Sequence, residues 1–241
     1  INFVTLLSEV EPTLKKQAAS CFTETAGIVR RMMMAAQLLL DHKGKTGIEH
    51  LRHHPSDTVR GWASFMIGVA PNLSLRERLK RIKPLADDSH FGVREWAWLA
   101  VRPHIAADVD EAIALLRPWT GEASANLRRF AVEVTRPRGV WCPHIEVFKQ
   151  KPKKGLPLLE PLRKDPAIYV QNSVSNWLND AGKSSPEFVV SLCRRWTQES
   201  EAPATLRIVK RATRSFSGLV PPPSRPQPSS LKRRKSAAKK A

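Results

Sequence analysis

One dipeptide recurs along the chain at nearly even spacing and limits what the rest can be. A Val-Arg pair or a close variant stands at Val29-Arg30, Val59-Arg60, Val93-Arg94, Leu127-Arg128, Val170-Gln171 and Leu206-Arg207, at intervals of 30, 34, 34, 43 and 36 residues. Three of the six continue with an aromatic residue and Ala: Trp62-Ala63, Trp96-Ala97 and Phe130-Ala131. Self-similarity at this period marks stacked helix pairs, each too small to bury its apolar face alone and so laid against the next.

Local patterning agrees. Residues 3–19 carry Val4, Leu7, Val10 and Leu14 at helical spacing, and residues 27–42 carry Ile28, Met32, Ala35, Leu38 and Leu39, so each stretch predicts one amphipathic helix. The Met32-Met33-Met34 run is read as core packing rather than a soft binding surface. Helix-start and turn chemistry falls between such segments, at Ser56-Asp57, Pro71-Asn72, Asp87-Asp88-Ser89, Ser124 and Ser184-Ser185-Pro186-Glu187. No sustained period-two alternation competes, and Gly is only 11 of 241 residues, which argues against a β-rich fold. The expected architecture is an all-α, right-handed solenoid of HEAT-like helix pairs with a concave basic groove. Residues 1–216 form that domain. Residues 217–241, with five Pro, seven Lys or Arg and no acid, are expected to be a disordered basic tail.

Charge points to the partner. The chain carries 40 Lys and Arg against 22 Asp and Glu, a net +18, of which the tail contributes +7 and the body +11. A polyanion, nucleic acid before membrane, fits that imbalance. Within the body the basic residues cluster at Arg76, Arg78, Lys80, Arg81 and Lys83, at Lys149, Lys151, Lys153 and Lys154, and along one helical face at Arg207, Lys210, Arg211 and Arg214. No apolar run reaches spanning length, and no secretory segment opens the chain. Three cysteines without paired spacing suit a reducing cytoplasm. Position 1 is Ile, so the amino terminus is read as processed or incomplete. The helical spacing of His50, His53 and His54 is not completed into a metal set, Cys142 and His144 are not read as a nucleophile and base, and neither a P-loop nor a dinucleotide fingerprint is present. No cofactor and no metal are expected.

The stretch from 129 to 145, RFAVEVTRPRGVWCPHI, concentrates the chemistry. Leu127, Phe130, Ala131 and Val134 make an inward face that leaves Arg128, Arg129 and Glu133 toward the other, and Pro137 ends the helix so that Arg136, Arg138 and Gly139 fall in a loop. An acid, a tryptophan eight residues later and several guanidiniums around one helix end suit a cationic sugar-phosphate substrate better than a neutral metabolite. Read without further help, Glu133 beside Arg129 and Arg136 is as readily a surface ion pair, and Asp180 before Ala-Gly-Lys as readily turn chemistry.

Three segments carry a resemblance: RRFAVEVTRPRGVWCPHI, LPLLEPLRKDPAIYVQNSVSNWLNDAGKSSPEFV, and the PAT and VKRA pattern at residues 203–212. Together they resemble the HEAT-like DNA alkylation repair glycosylases, the AlkC type more closely and AlkD as a wider relative. The resemblance is strong from about residue 90 to 216. It implies a metal-free, cofactor-free enzyme that hydrolyses the N-glycosidic bond of cationic alkylated bases, such as 3-methyladenine and 3-methylcytosine, in double-stranded DNA. Glu133, Trp141 and Asp180 match the lesion-facing set it implies, and Glu95, in VREWAW, matches in a less certain register. The residues assigned to DNA are Arg94, Arg129, Arg136, Arg138, Asn176, Trp177, Arg207, Lys210, Arg211 and Arg214. A cytoplasmic monomer is expected. The competing expectations are a HEAT-like protein that binds distorted or branched DNA without cutting a bond, and a protein-interaction solenoid.

Overall fold

The computed structural model describes residues 1–22 and 26–215, so the expected tail lies outside the described residues. Fourteen α-helices occur among them. The first seven are α1 (Phe3–Val10), α2 (Lys15–Cys21), α3 (Ile28–Lys43), α4 (Thr46–Leu51), α5 (Asp57–Val69), α6 (Leu75–Ala86) and α7 (Phe91–Ala107). The others are α8 (Val109–Leu116), α9 (Ala125–Glu133), α10 (Glu146–Gln150), α11 (Leu156–Leu159), α12 (Ile168–Gly182), α13 (Pro186–Glu199) and α14 (Pro203–Ala212). No strand occurs among the described residues.

The repeat is the frame of this architecture. Each recurring dipeptide lies in the first turn and a half of one helix, in α3, α5, α7, α9, α12 and α14 in turn, and these six pack side by side in sequence order. The intervening α4, α6, α8, α11 and α13 lie against them as a second layer. The aromatic-Ala steps that follow the dipeptides fill the space between layers: Trp62, Ala63, Ala97, Phe130 and Ala131 are all buried. Trp96 alone of that set stays partly exposed.

The repeated polar residue does a structural task. Arg60 Nη1 donates to the carbonyls of His54 and Pro55, both at 2.9 Å. Arg94 reaches back to Asp88 and Ser89 at 2.7 and 2.9 Å, and Arg128 to Glu122 and Ala123 at 2.9 and 2.8 Å. Gln171 makes the same pair, to Asp165 at 2.8 Å and Pro166 at 3.4 Å. In these four cases the donor fastens the two carbonyls five and six residues before it, the turn that leads into its own helix. Arg60 and Arg128 also reach the next unit, pairing with Asp88 at 2.7 Å and Asp165 at 2.6 Å.

Capping follows the expected chemistry at several helix starts. Ser74 and Glu77 form a reciprocal box at the start of α6, Asp108 accepts from the Glu111 amide, and Ser124 accepts from the Asn126 amide. Two details differ from the sequence reading. Residues 3–19 are not one helix: Pro12 breaks the run, because Glu11 before it is held out of the helical region, and α1 and α2 are separated by a single 3-10 turn. Of the methionine run only Met32 is fully buried, whereas Met33 is exposed.

Candidate DNA-facing cleft and its acidic network

α9 ends at Glu133, where the site begins. Arg129 and Glu133, one turn apart, both point inward, at 8% and 4% exposure, against α7 and α12. Glu133 Oε1 accepts from Arg136 Nη1 at 2.8 Å, and its Oε2 accepts from the Ser173 hydroxyl at 2.6 Å and faces Arg129 Nη2 at 3.6 Å. Arg129 Nη2 also donates to Glu95 Oε1 at 2.7 Å, while Trp98 Nε1 donates to the other oxygen of Glu95 at 2.8 Å. On the far side Arg136 donates through Nε and Nη2 to Asp180 Oδ2 at 2.9 and 2.8 Å, and Lys183 stands 3.6 Å from Asp180 Oδ1. Five charged side chains from three helices and a loop thus form one chain of contacts, Glu95–Arg129–Glu133–Arg136–Asp180.

Burial by itself would raise the pKa of Glu133, but Arg129, Arg136 and the Ser173 hydroxyl favour the anion by more, and the carboxyl is held below the ordinary glutamate range. For Arg136 burial opposes the charge, and the facing Glu133 and Asp180 more than compensate. Both are charged at neutral pH.

The loop after α9 is fastened from α7. Arg102, 2% exposed, donates to the carbonyls of Val134 at 2.8 Å, Arg136 at 2.6 Å and Pro143 at 3.3 Å. Gly139 is needed in the turn, since a Cβ there would stand 2.1 Å from Cys142 Sγ and 3.2 Å from Arg102 Cζ. Two residues on, Trp141 adopts φ +61°, a conformation that costs a bulky side chain energy, and leaves its indole 77% exposed. Val140 and Trp141 form one wall of a cleft of about 400 Å³ whose other walls are Phe91, Trp96 and Leu99 of α7 and Ile28 and Met32 of α3. Glu95, Glu133 and Arg136 line the same cleft. Asp180 is not among its lining residues and lies behind Arg136. Aromatic side chains that share a cleft with carboxylates make a place for a cation.

No family model matches the chain. It is 35% identical over 135 residues to YhaZ of Bacillus subtilis (strain 168), a stretch that is 56% of this chain and 36% of that one. Among solved structures it is similar to Pseudomonas fluorescens alkylpurine DNA glycosylase AlkC bound to DNA containing an abasic site analog, with a TM-score of 0.69 and 22% identity, over 89% of this chain and 61% of that one. AlkD2 from Streptococcus mutans gives a TM-score of 0.64 and 21% identity over 86% of this chain and 97% of that one. The chain has the fold of AlkC and AlkD2. The all-α HEAT-like architecture expected from the repeat is the one these structures share, and the chain spans about a third of YhaZ and under two thirds of AlkC.

Set against that fold, the expected site residues separate into groups. Glu133, Glu95 and Trp141 meet at the cleft, and Asp180 joins them through Arg136. Trp177 does not face DNA: it is fully buried, packs edge-on to Phe148, and donates to the Thr135 carbonyl at 3.0 Å. Arg129 is likewise an internal counter-ion with little surface for a phosphate, and Arg136 is held between two acids rather than extended outward. Glu133 and Asp180 are buried members of the network, not surface ion pairs or turn groups. Arg94 fastens its turn, Arg207 donates to Gln171 and Asn172 at 3.2 and 2.8 Å, and Arg138 meets the Asp180 carbonyl and Ser184. Asn176 accepts from Arg214 at 3.2 Å, and Lys210 and Arg214 are the exposed part of the basic stripe, with Arg211 half-buried. Arg78, counted with a basic cluster, is buried and grips the carbonyls that end α5.

Sequence reasoning missed Arg102, Ser173 and Tyr169. The last two had a signal: Tyr169, Ser173 and Asp180 recur at i, i+4 and i+11, one face of α12. Arg102 had none, since its partners lie 32 to 41 residues away.

Proposed function

We propose that this chain is a DNA glycosylase that hydrolyses the N-glycosidic bond of cationic alkylated bases, 3-methyladenine and 3-methylcytosine among them, in duplex DNA. The observation that carries the reading is the cleft: an exposed Trp141 in a strained conformation lines the same cleft as Glu95 and an ionised Glu133. The fold shared with AlkC and AlkD2 supports it.

The chemistry asks little of an acid. In a base alkylated to a cation, the C1′–N bond breaks with its electron pair moving onto the base, which leaves neutral and needs no proton. Positive charge then develops at the sugar as an oxocarbenium, water adds to C1′, and its proton passes to a carboxylate or to solvent. Glu133, held ionised by Arg129 and Arg136, is the group suited to stabilise that charge and orient the water; Glu95 stands next to it across Arg129. Asp180 acts at one remove, by fixing Arg136. The Arg136 guanidinium occupies the link between Glu133 and Asp180 and leaves no place for a water shared by both, so the water is assigned to the cleft side of Glu133. Trp141 and Phe91 offer aromatic faces to a cationic base, and a neutral base gains little from either feature.

The reading extends to a monomer in the cytoplasm that holds DNA electrostatically through Arg138, Lys210, Arg211 and Arg214, with the segment 217–241 adding nonspecific affinity. No helix among the described residues is long and apolar enough to cross a membrane. One observation favours the non-cleaving alternative: both oxygens of Glu133 already have partners, as a purely structural acid's would. Incubating the protein with methylated duplex DNA and measuring free bases by mass spectrometry decides between them. Released 3-methyladenine or 3-methylcytosine supports the glycosylase; tight binding with no released base supports the alternative.

A further inference from the structure

Tyr169 is the only tyrosine of the chain and stands in the first turn of α12, where two guanidiniums meet its ring. Arg129 Cζ lies 4.4 Å from the ring centroid and Arg94 Cζ 5.3 Å. Arg129 is the shared counter-ion of Glu95 and Glu133, yet both contacts run through a single nitrogen, Nη2, at 2.7 and 3.6 Å. A guanidinium tied at one corner can swing about that corner. A ring face against its carbon removes this freedom, and an aromatic quadrupole favours the cation there. Ser173, one turn further along α12, holds Glu133 directly at 2.6 Å, so the same helix face controls the carboxylate and its counter-ion.

We infer that Tyr169 is a positioning residue of the cleft: its ring holds Arg129 where one guanidinium serves Glu95 and Glu133 together. The ring does this rather than the hydroxyl, whose one contact, from Arg94 Nε at 3.4 Å, is at the limit of a hydrogen bond. Arg94, with its Nη1 on the Asp88 and Ser89 carbonyls, is anchored independently, so Arg129 is the partner that depends on the ring. The kinetic consequence rests on the glycosylase reading; the placement of Arg129 does not.

The test compares Tyr169→Phe, which keeps the ring, with Tyr169→Leu, which keeps only apolar bulk. Two readouts are taken on the full chain: single-turnover release of 3-methyladenine with the dissociation constant for the same duplex, and the carboxyl titration of Glu133 by carbon-13 NMR of glutamate-labelled protein, assigned with Glu133→Gln. The groups facing Glu133 are Arg129 from α9, Arg136 from the following loop and Ser173 from α12, with Glu95 and Arg102 of α7, Asp180 of α12 and Cys142 behind them. Among these, Arg129 is the one whose guanidinium lies over the Tyr169 ring. The expected result is release about tenfold slower for Tyr169→Leu at unchanged DNA affinity, with the Glu133 midpoint moved upward, and wild-type behaviour for Tyr169→Phe in both readouts. A wild-type Glu133 midpoint in Tyr169→Leu overturns the inference, as does equal loss in both variants. If the wild-type protein releases no base, the glycosylase reading fails and the titration alone decides the placement.

Discussion

Glu133 and Asp180 are joined through one side chain: Arg136 donates to Glu133 Oε1 at 2.8 Å and, through two nitrogens, to Asp180 Oδ2 at 2.8 and 2.9 Å. Both acids are 4% exposed. An amide at either position therefore does more than remove a catalytic charge, since it leaves a buried guanidinium short of its counter-ion. Glu133→Gln and Asp180→Asn are each expected to lower stability by about 3 kcal/mol. At a temperature where the variants are folded, Glu133→Gln should release base about 10² to 10³ times more slowly. Asp180→Asn should lose less, because it acts through Arg136. Thermal unfolding paired with single-turnover release checks both, and wild-type release by folded Glu133→Gln would return this acid to a structural role.

The same network sets an acid limit. The folded pKa of Glu133 lies below the ordinary value of 4.5, so its ionisation stabilises the fold fully above 4.5, and that contribution disappears as pH falls through the lower folded value. The stability difference between wild type and Glu133→Gln should accordingly be constant at neutral pH and shrink below pH 4.5. Urea unfolding midpoints of the two proteins across that window measure it.

Arg102 is expected to matter to the cleft without lining it. Arg102→Met leaves the carbonyls of Val134, Arg136 and Pro143 without their donor, at a cost of about 3 kcal/mol. The loop should also become a protease site. Limited proteolysis mapped by mass should show new cleavage within residues 136–143 in the variant, and an unchanged pattern would mean the loop holds itself.

Salt dependence separates internal from outward arginines. Lys210→Ala and Arg214→Ala should each reduce the slope of log affinity against log salt by about 0.9. Arg129→Met should leave the slope unchanged, since its guanidinium is engaged with Glu95, Glu133 and Tyr169. Binding isotherms on undamaged duplex at several salt concentrations provide the comparison.

What was legible in the sequence is what repeats. Six dipeptides mark six helices, and in four of them the polar residue, Arg60, Arg94, Arg128 or Gln171, fastens the turn into its own helix, while the end of α9 was readable from Pro137. Residues 3–19 were misjudged because apolar periodicity runs through Pro12, and the proline overrides it. The orientation of Arg129 and Glu133 was not readable, because charged residues are outward-facing unless paired, and the partners that draw these two inward, Glu95 and Ser173, are 34 and 40 residues away. Trp177 is expected at DNA from the sequence, yet Gly155 gives it a close-packed seat in the core: a Cβ on Gly155 would stand 2.4 Å from the indole.

At one repeat position Gln171 fastens its turn with an amide where Arg60, Arg94 and Arg128 use a guanidinium. The fastening thus needs a donor of the right reach and no net charge. Mechanical integrity and surface potential are in this way separable properties of the stack: at a position such as Arg94, which has no carboxylate partner among the described residues, a substitution by Gln removes a positive charge while the helix stays moored. A solenoid built on this joint can have its affinity for a polyanion adjusted one unit at a time, without redesigning how the units are held together.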